Sequence, residues 1–311
     1  MSVIEKAAKR LEELRRAGFE APVGSEHSGV LGRPRNTGEA VVEITSPRVS
    51  EPAAITSTSA HSKVPSSAAT FFELNLAKLA ADGFVTPDMP RSRIADEFRI
   101  VKRPLIANTS GKRISPIKNG NLIMVTSAMP GEGKTFSAVN LALSIATEMD
   151  QTVLLVDADV ARPALPRTLG LPAGKGLLDA LENKSFDLGR ALIRTNVEKL
   201  TILPSGTQHA HATELLASDA MVRLLDEMAN RYSDRIIIFD SPPLLVTTEA
   251  RVLATHMGQI LFIVRSESTL QSDVKRALVT IEACPVKMIL LNQARTAAQG
   301  AYGYGYGYGY D

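Results

Sequence analysis

The sequence predicts an α/β fold in which a parallel sheet is covered by helices on both faces, and three observations carry that expectation. From residue 121 onward, short apolar runs rich in β-branched residues recur at 122–126, 153–156, 200–203, 236–239, 260–264 and 288–291. Helical patterns lie between them, at 136–148, 214–231 and 272–283. A Gly-rich loop stands between the first run and the first of these helices. Continuous apolar strands are those buried on both faces, and intervening helices supply the crossovers that parallel neighbours need. The 311 residues, with 44% hydrophobic and 22% charged composition, are enough for one such domain plus flanking segments, and exclude collagen-like or wholly disordered chains.

The flanks follow in order. Residues 1–17 read as an N-terminal amphipathic helix, with Ile4, Ala7, Ala8, Leu11 and Leu14 at helical spacing among charged residues. A helix of about fifteen residues is barely stable in water, so it is either a marginal solvated helix or one ordered by a partner. Residues 18–90 read as a largely disordered linker, since Ser, Thr, Pro, Gly and Ala dominate up to about residue 70 and apolar residues are sparse. The folded domain is expected over 91–299. It opens with a helix at 92–102, which steric conflict with Pro104 should end. Apolar Ile94, Phe98 and Val101 alternate there with charged residues, which fits a docking helix or a peripheral packing helix equally. Residues 300–311 form a separate Tyr/Gly tail. It holds five of the chain's six tyrosines, Tyr302, Tyr304, Tyr306, Tyr308 and Tyr310, at every second position.

Charge and cysteine usage narrow the setting. A net charge of +2, from 35 Lys+Arg against 33 Asp+Glu, provides no basic field for general nucleic-acid binding. The single Cys284 lies in an apolar stretch and reads as a small buried hydrophobe, in keeping with a reducing cytoplasm. No apolar run of about 18 residues marks a membrane span, and the N-terminus lacks the apolar core of a signal peptide.

The chemistry is concentrated after the first strand. Ser127-Ala-Met-Pro-Gly-Glu-Gly-Lys-Thr135 is a phosphate loop in which Ala128 stands where a first glycine is usual. Glycines let backbone N–H groups turn inward around phosphate oxygens, and the following helix points its positive end at the same charge. The candidate nucleotide-binding residues are therefore Met129, Pro130, Gly131, Glu132, Gly133, Lys134, Thr135 and Phe136. Lys134 is expected to reach the β- and γ-phosphates, and Thr135 to hold Mg²⁺ through its hydroxyl. Two further strands end in carboxylates, at Asp157-Ala-Asp159 and at Asp240. A carboxylate directly after four buried apolar residues is costly without a cation or donors. Helix capping by Asp159 or Asp240 is the alternative, but three carboxylates around a phosphate loop point to metal and nucleotide. The absence of a guanine-reading Asn-Lys-x-Asp motif favours ATP. Asn292 is placed either against adenine or as an ordinary loop amide.

Pro130-Gly-Glu-Gly-Lys-Thr, Val156-Asp-Ala-Asp, Phe239-Asp-Ser-Pro-Pro and the terminal tyrosine cluster together resemble the bacterial tyrosine kinases that regulate polysaccharide synthesis and export. The segments Met1-Ser-Val-Ile-Glu-Lys-Ala and Ala95-Asp-Glu-Phe-Arg-Ile-Val-Lys-Arg-Pro resemble the branch linked to exosortase-associated exopolysaccharide loci. The resemblance implies catalytic roles for Lys134, Asp157, Asp159 and Asp240. Asp157 would orient or deprotonate the attacking tyrosine, and Asp159 and Asp240 would support a metal held with Thr135. It also implies a homo-oligomer, with a ring as one form, and an interface through Asp96, Arg99 and Lys102, where the family's usual residues are Glu, Arg and Arg. An inner-membrane polysaccharide co-polymerase as activator, a tyrosine phosphatase as antagonist, and a cytoplasmic location peripheral to the membrane complete the implied setting. Met129 stands where partition and cell-division positioning ATPases, the competing class, carry a lysine, and a nucleotide-gated scaffold is a third possibility. The tail spans at most about 40 Å when extended, which lets it reach a neighbouring subunit, so transfer in trans is expected.

Overall fold

The computed structural model describes residues 69–109, 116–183, 185–231 and 235–294, all of which fall in the compact unit Ser62–Asp311. The expected N-terminal helix, most of the linker and the tyrosine tail lie outside the described residues. Eight strands form one sheet: β1 (Thr70–Phe72), β2 (Leu122–Ser127), β3 (Thr152–Asp157), β4 (Ile193–Thr195), β5 (Leu200–Leu203), β6 (Arg235–Asp240), β7 (Gln259–Arg265) and β8 (Val286–Asn292). Their order across the sheet is β1-β4-β5-β3-β6-β2-β7-β8. All six strands expected from the sequence are present and mutually parallel. β4 runs antiparallel to β5, and β1 is parallel to β4.

Helices cover both faces. They are α1 (Leu76–Ala81), α2 (Arg93–Thr109), α3 (Lys134–Ala146), α4 (Leu165–Leu169), α5 (Leu177–Glu182), α6 (Ala212–Leu216), α7 (Asp219–Arg231), α8 (Glu249–Ala254) and α9 (Gln271–Thr280). Successive residues of a strand face opposite sides. Ile123 and Val125 accordingly join one apolar layer with α2 and α3, while Leu122 and Met124 join a second with α5, α7 and α8. Cys284 is buried in the second layer, as expected.

Four local features depart from the sequence expectation. Ordered structure begins well before residue 91, because Leu74, Leu79 and Val85 are buried in the first layer. Two asparagines hold this segment down. Asn196 accepts from Leu74 N (2.9 Å) and donates to Leu74 O (3.1 Å), and buried Asn140 of α3 accepts from Val85 N (2.7 Å). α2 continues through Pro104 to Thr109. Pro104 is exposed, and so is Ile100, whose carbonyl loses its intrahelical partner on the solvent side, while buried Leu105 anchors the last turns. The helical pattern 214–231 is split into α6 and α7 at Ser218, whose hydroxyl donates to Leu215 O (2.7 Å). Finally, the sheet gains β1 and β4 at one edge, both too short to show a periodicity.

Candidate active site

The topology brings the three chemical motifs together. β2 lies beside β6, and β6 beside β3, so Val125, Asp240 and Asp157 are in register across three neighbouring strands. The phosphate loop, Asp240 and Asp157 therefore share the C-terminal edge of the sheet, where open α/β sheets bind ligands.

The loop is built by its glycines and by one buried glutamate. Gly131 and Gly133 take positive φ angles of 82° and 95°. A Cβ on Gly133 would meet Asn292 Nδ2 at 2.0 Å. Ala128 is fully buried with an ordinary backbone conformation, which explains why the chain needs no glycine there. Glu132, 4% exposed, turns its side chain away from the loop's mouth: one carboxylate oxygen accepts from Met129 N (3.0 Å), and the other accepts from the Thr269 hydroxyl. Asn292 Nδ2 donates to Glu132 O (2.9 Å). The loop is thus braced from the segment after β7 and from the end of β8.

Lys134 and Thr135 open α3, Lys134 being buried and Thr135 half-buried. Asp240 and Asp157 are both completely buried. Neither oxygen of Asp240 makes a hydrogen bond of good geometry among the described residues, although the Thr135 hydroxyl is near enough to act on the carboxylate. Asp157 uses only Oδ2, which accepts from Leu165 N at 3.2 Å. Burial and the negative charges of Asp240 and Asp159 push the Asp157 carboxyl up to about 8. Burial likewise raises Asp240 to about 7, against the pull of the Thr135 hydroxyl and the Lys134 ammonium. Asp159, half-buried, is also raised by burial, with Lys134 and Arg162 opposing, and its Oδ1 accepts from Arg162 N (3.2 Å).

Orphaned, desolvated carboxylates beside a lysine and a hydroxyl constitute a cation-seeking site. Among the described residues no cluster of three or more acidic, histidine or cysteine side chains could cage a metal alone. Mg²⁺ is a cation usually held by one or two protein groups while phosphates and water complete its shell. Thr135 and Asp240 are the groups that could hold such an ion, with half-buried Asp159 nearby.

Other expected site residues fall differently. Met129 and Pro130 are exposed at the loop's tip. Phe136 does not face the loop: its ring packs on Phe84 with centroids 5.0 Å apart, so only its backbone belongs to the phosphate site. Asn292 uses its amide on the phosphate loop and accepts from Gln293 N (2.9 Å). Of the expected interface set, Asp96 and Arg99 pair with each other on the surface. Lys102 is the exception, being 4% exposed and directed into the chain's own fold. Its Nζ reaches Ser144 O (2.5 Å), Thr147 Oγ1 (3.2 Å) and Glu148 Oε1 (2.7 Å) at the C-terminal end of α3. The tyrosines lie outside the described residues. The sequence places Glu132 at the nucleotide, whereas its side chain braces the loop, and Thr269 carries no sequence signal, because their partners are remote along the chain.

Comparison with known proteins agrees with this geometry. A family model described as an AAA domain matches residues 120–287. Tyrosine-protein kinase YwqD of Bacillus subtilis (strain 168) is 30% identical over 216 residues, covering 69% of this chain and 87% of the relative. Tyrosine-protein kinase ptk of Acinetobacter johnsonii is 33% identical over 182 residues, 58% of this chain but 24% of that much longer relative. Among solved structures, the kinase domain of Escherichia coli tyrosine kinase ETK aligns with a TM-score of 0.59 and 28% identity, covering 72% of this chain and 86% of that one. No helix among the described residues is long and apolar enough to cross a membrane. With a nucleotide-binding phosphate loop, buried carboxylates at the ends of two adjacent strands, and these relatives, the chain belongs to the bacterial tyrosine-protein kinase family of P-loop ATPases.

Proposed function

We propose that the chain is an ATP-dependent autokinase that phosphorylates the tyrosines between Tyr302 and Tyr310 of a second copy. The observation that supports this most is the pair of fully buried, under-partnered carboxylates, Asp157 and Asp240, beside Lys134 and Thr135. Phosphoryl transfer is mainly positioning and charge neutralisation, and these groups supply both. Backbone N–H groups of the loop and Lys134 would bind the β- and γ-phosphates, and Thr135 and Asp240 would hold Mg²⁺, which would supply charge neutralisation. The tyrosine oxygen forms a bond to the γ-phosphorus as the bond to the β,γ-bridging oxygen breaks, and ADP leaves with that electron pair. The phenolic proton passes to Asp157. Burial makes the ionised Asp157 a stronger base than an ordinary aspartate, which narrows the gap to a tyrosine of pKa about 10.

The setting is also proposed. The relatives include a protein named for succinoglycan biosynthesis and transport, and one solved structure is of a chimeric protein CapA2B2. In this reading the chain regulates exopolysaccharide synthesis or export from an exosortase-linked locus. It acts in the cytoplasm as a homo-oligomer joined through Asp96 and Arg99, bound at the inner membrane to a polysaccharide co-polymerase and reversed by a tyrosine phosphatase. Mass spectrometry after incubation with Mg-ATP tests the core of the proposal. Phosphate is expected on the tail of the intact chain and none on Lys134→Met. ATP hydrolysis without tyrosine phosphate would favour a positioning-type ATPase, and neither activity would favour a nucleotide-gated scaffold.

A further inference from the structure

Beside the catalytic carboxylates lies a cleft of about 920 Å³ that phosphate transfer, as described above, does not use. One wall is α4 with its flanking loops, contributing Pro163, Pro166 and Arg167, and the other is the turn after β5, contributing Pro204 and Thr207. The first wall starts at the reaction centre, because Leu165 N, next to Pro166, donates to Asp157 Oδ2.

The turn after β5 is fixed to the start of α5, where the loop from α4 ends. Asp179 of α5, 6% exposed, accepts from Gly176 N (2.8 Å), Thr207 N (3.0 Å), Thr207 Oγ1 (2.9 Å) and Lys175 Nζ (2.7 Å). Burial alone would raise this carboxyl, but the Lys175 ammonium and the donors from Thr207 and Gly176 hold it at about 2. The backbones also touch: a Cβ on Gly176 would lie 2.1 Å from Pro204 O, and one on Gly206 would lie 2.4 Å from Asp179 Oδ2. A charged, saturated clamp holds that wall of the cleft in place, and preformed surfaces bind chain segments at lower entropic cost.

Its chemistry is selective. Proline rings offer apolar surface for aromatic rings, whose phenolic end can stay wet. Arg167 is exposed in the cleft with no ion pair or side-chain hydrogen bond among the described residues, and Lys175 stands 62% exposed above Asp179. The segment 300–311 complements both features. It offers an aromatic ring at every second residue, glycines small enough to thread between walls, no basic residue, and one acidic residue, Asp311. Each tyrosine phosphate adds a further charge of about −1.5 to −2.

We propose that this cleft is the acceptor-docking site, that it takes the Tyr/Gly tail of a second copy of the chain, and that Arg167 retains tyrosines already phosphorylated while the next one enters beside Asp157. The proposal rests on the kinase reading above and adds to it where the acceptor lies and why several tyrosines are modified in one encounter.

The test uses full chains. Lys134→Met protein, unable to transfer phosphate, serves as acceptor for active protein with Mg-ATP, and intact mass counts the phosphates on the acceptor. Arg167→Glu on the active chain should slow the first phosphate about three- to fivefold, the scale of one partly exposed ion pair. Singly phosphorylated acceptor should then accumulate, whereas the unsubstituted enzyme passes quickly to higher states. Arg167→Lys should stay near the unsubstituted behaviour, and Arg167→Glu on the acceptor chain should change nothing. An unchanged Tm rise of Arg167→Glu with Mg-ATP separates lost docking from a lost fold. Equal rates and equal phosphate distributions with Arg167→Glu on the active chain overturn the cleft and leave the kinase reading intact. Slowing that appears only when the substitution is on the acceptor chain also overturns it. If the unsubstituted enzyme places no phosphate on the acceptor, the kinase reading falls and the cleft assignment with it.

Discussion

Asp157 and Asp240 place a stability cost on the fold. In an unfolded chain both carboxyls titrate near 3.8, whereas in the fold they titrate near 8 and 7. Between those values the folded state binds more protons than the unfolded one, so stability falls as pH rises. Nucleotide-free protein should therefore lose Tm from about pH 4 to pH 8. Asp240→Asn should flatten that slope and raise Tm at about pH 8, by about 2–4 °C per kcal/mol recovered. The same substitution should remove most of the extra stability conferred by Mg-ATP, since it removes a group assigned to the metal. A thermal unfolding series in pH, with and without Mg-ATP, reads all three outcomes. A second prediction concerns the loop itself. Gly133→Ala would place a methyl group on Asn292 at a backbone angle that alanine rarely adopts, so nucleotide-linked stabilisation should be lost even if the fold survives. The aspartates were legible because each follows an apolar strand, a pattern local in sequence. The Glu132–Thr269 contact and the burial of Lys102 were not, because each depends on a partner more than 40 residues away.

At the scale of elements, the short β1 and β4 strands were hidden for the same reason. Three residues carry no period, and their identity as strands comes from the neighbours they pair with. The six central strands each declare themselves by a run of apolar residues. Helix α2 is a packing helix, with Ala95, Phe98 and Leu105 buried in the first apolar layer. Its outer face carries the Asp96–Arg99 pair, while Lys102 places a positive charge on the carbonyl end of α3, where the helix dipole favours it. Replacing Lys102 by Met removes a charged hydrogen bond to a backbone carbonyl, worth about 2 kcal/mol. Its Tm should fall accordingly while its oligomer mass, measured by light scattering, stays unchanged. Asp96→Lys combined with Arg99→Glu retains a surface pair of opposite charge, so a change of mass there would reflect the interface and not the helix.

At the scale of the whole molecule, the proposed assembly and the proposed tail phosphorylation would be linked through charge. Several phosphates on adjacent tails, each about −1.5 to −2, repel one another in an assembled form. Fully phosphorylated protein is expected to show a smaller mass by light scattering than Lys134→Met protein, and equal masses would dismiss the switch. The end of β8 adds a kinetic consequence. Asn292 is hydrogen-bonded to the phosphate loop, so the backbone that leads to the tyrosines departs from the rim of its own nucleotide site. Tyr302 follows Ala294 by only eight positions, a leash of at most about 28 Å. In the proposed assembly, every tail would be confined to a small volume around neighbouring nucleotide sites. A short leash of that kind corresponds to a local concentration in the millimolar range. Modification would follow the state of assembly more closely than the amount of protein in the cell, and weak docking would suffice for fast transfer.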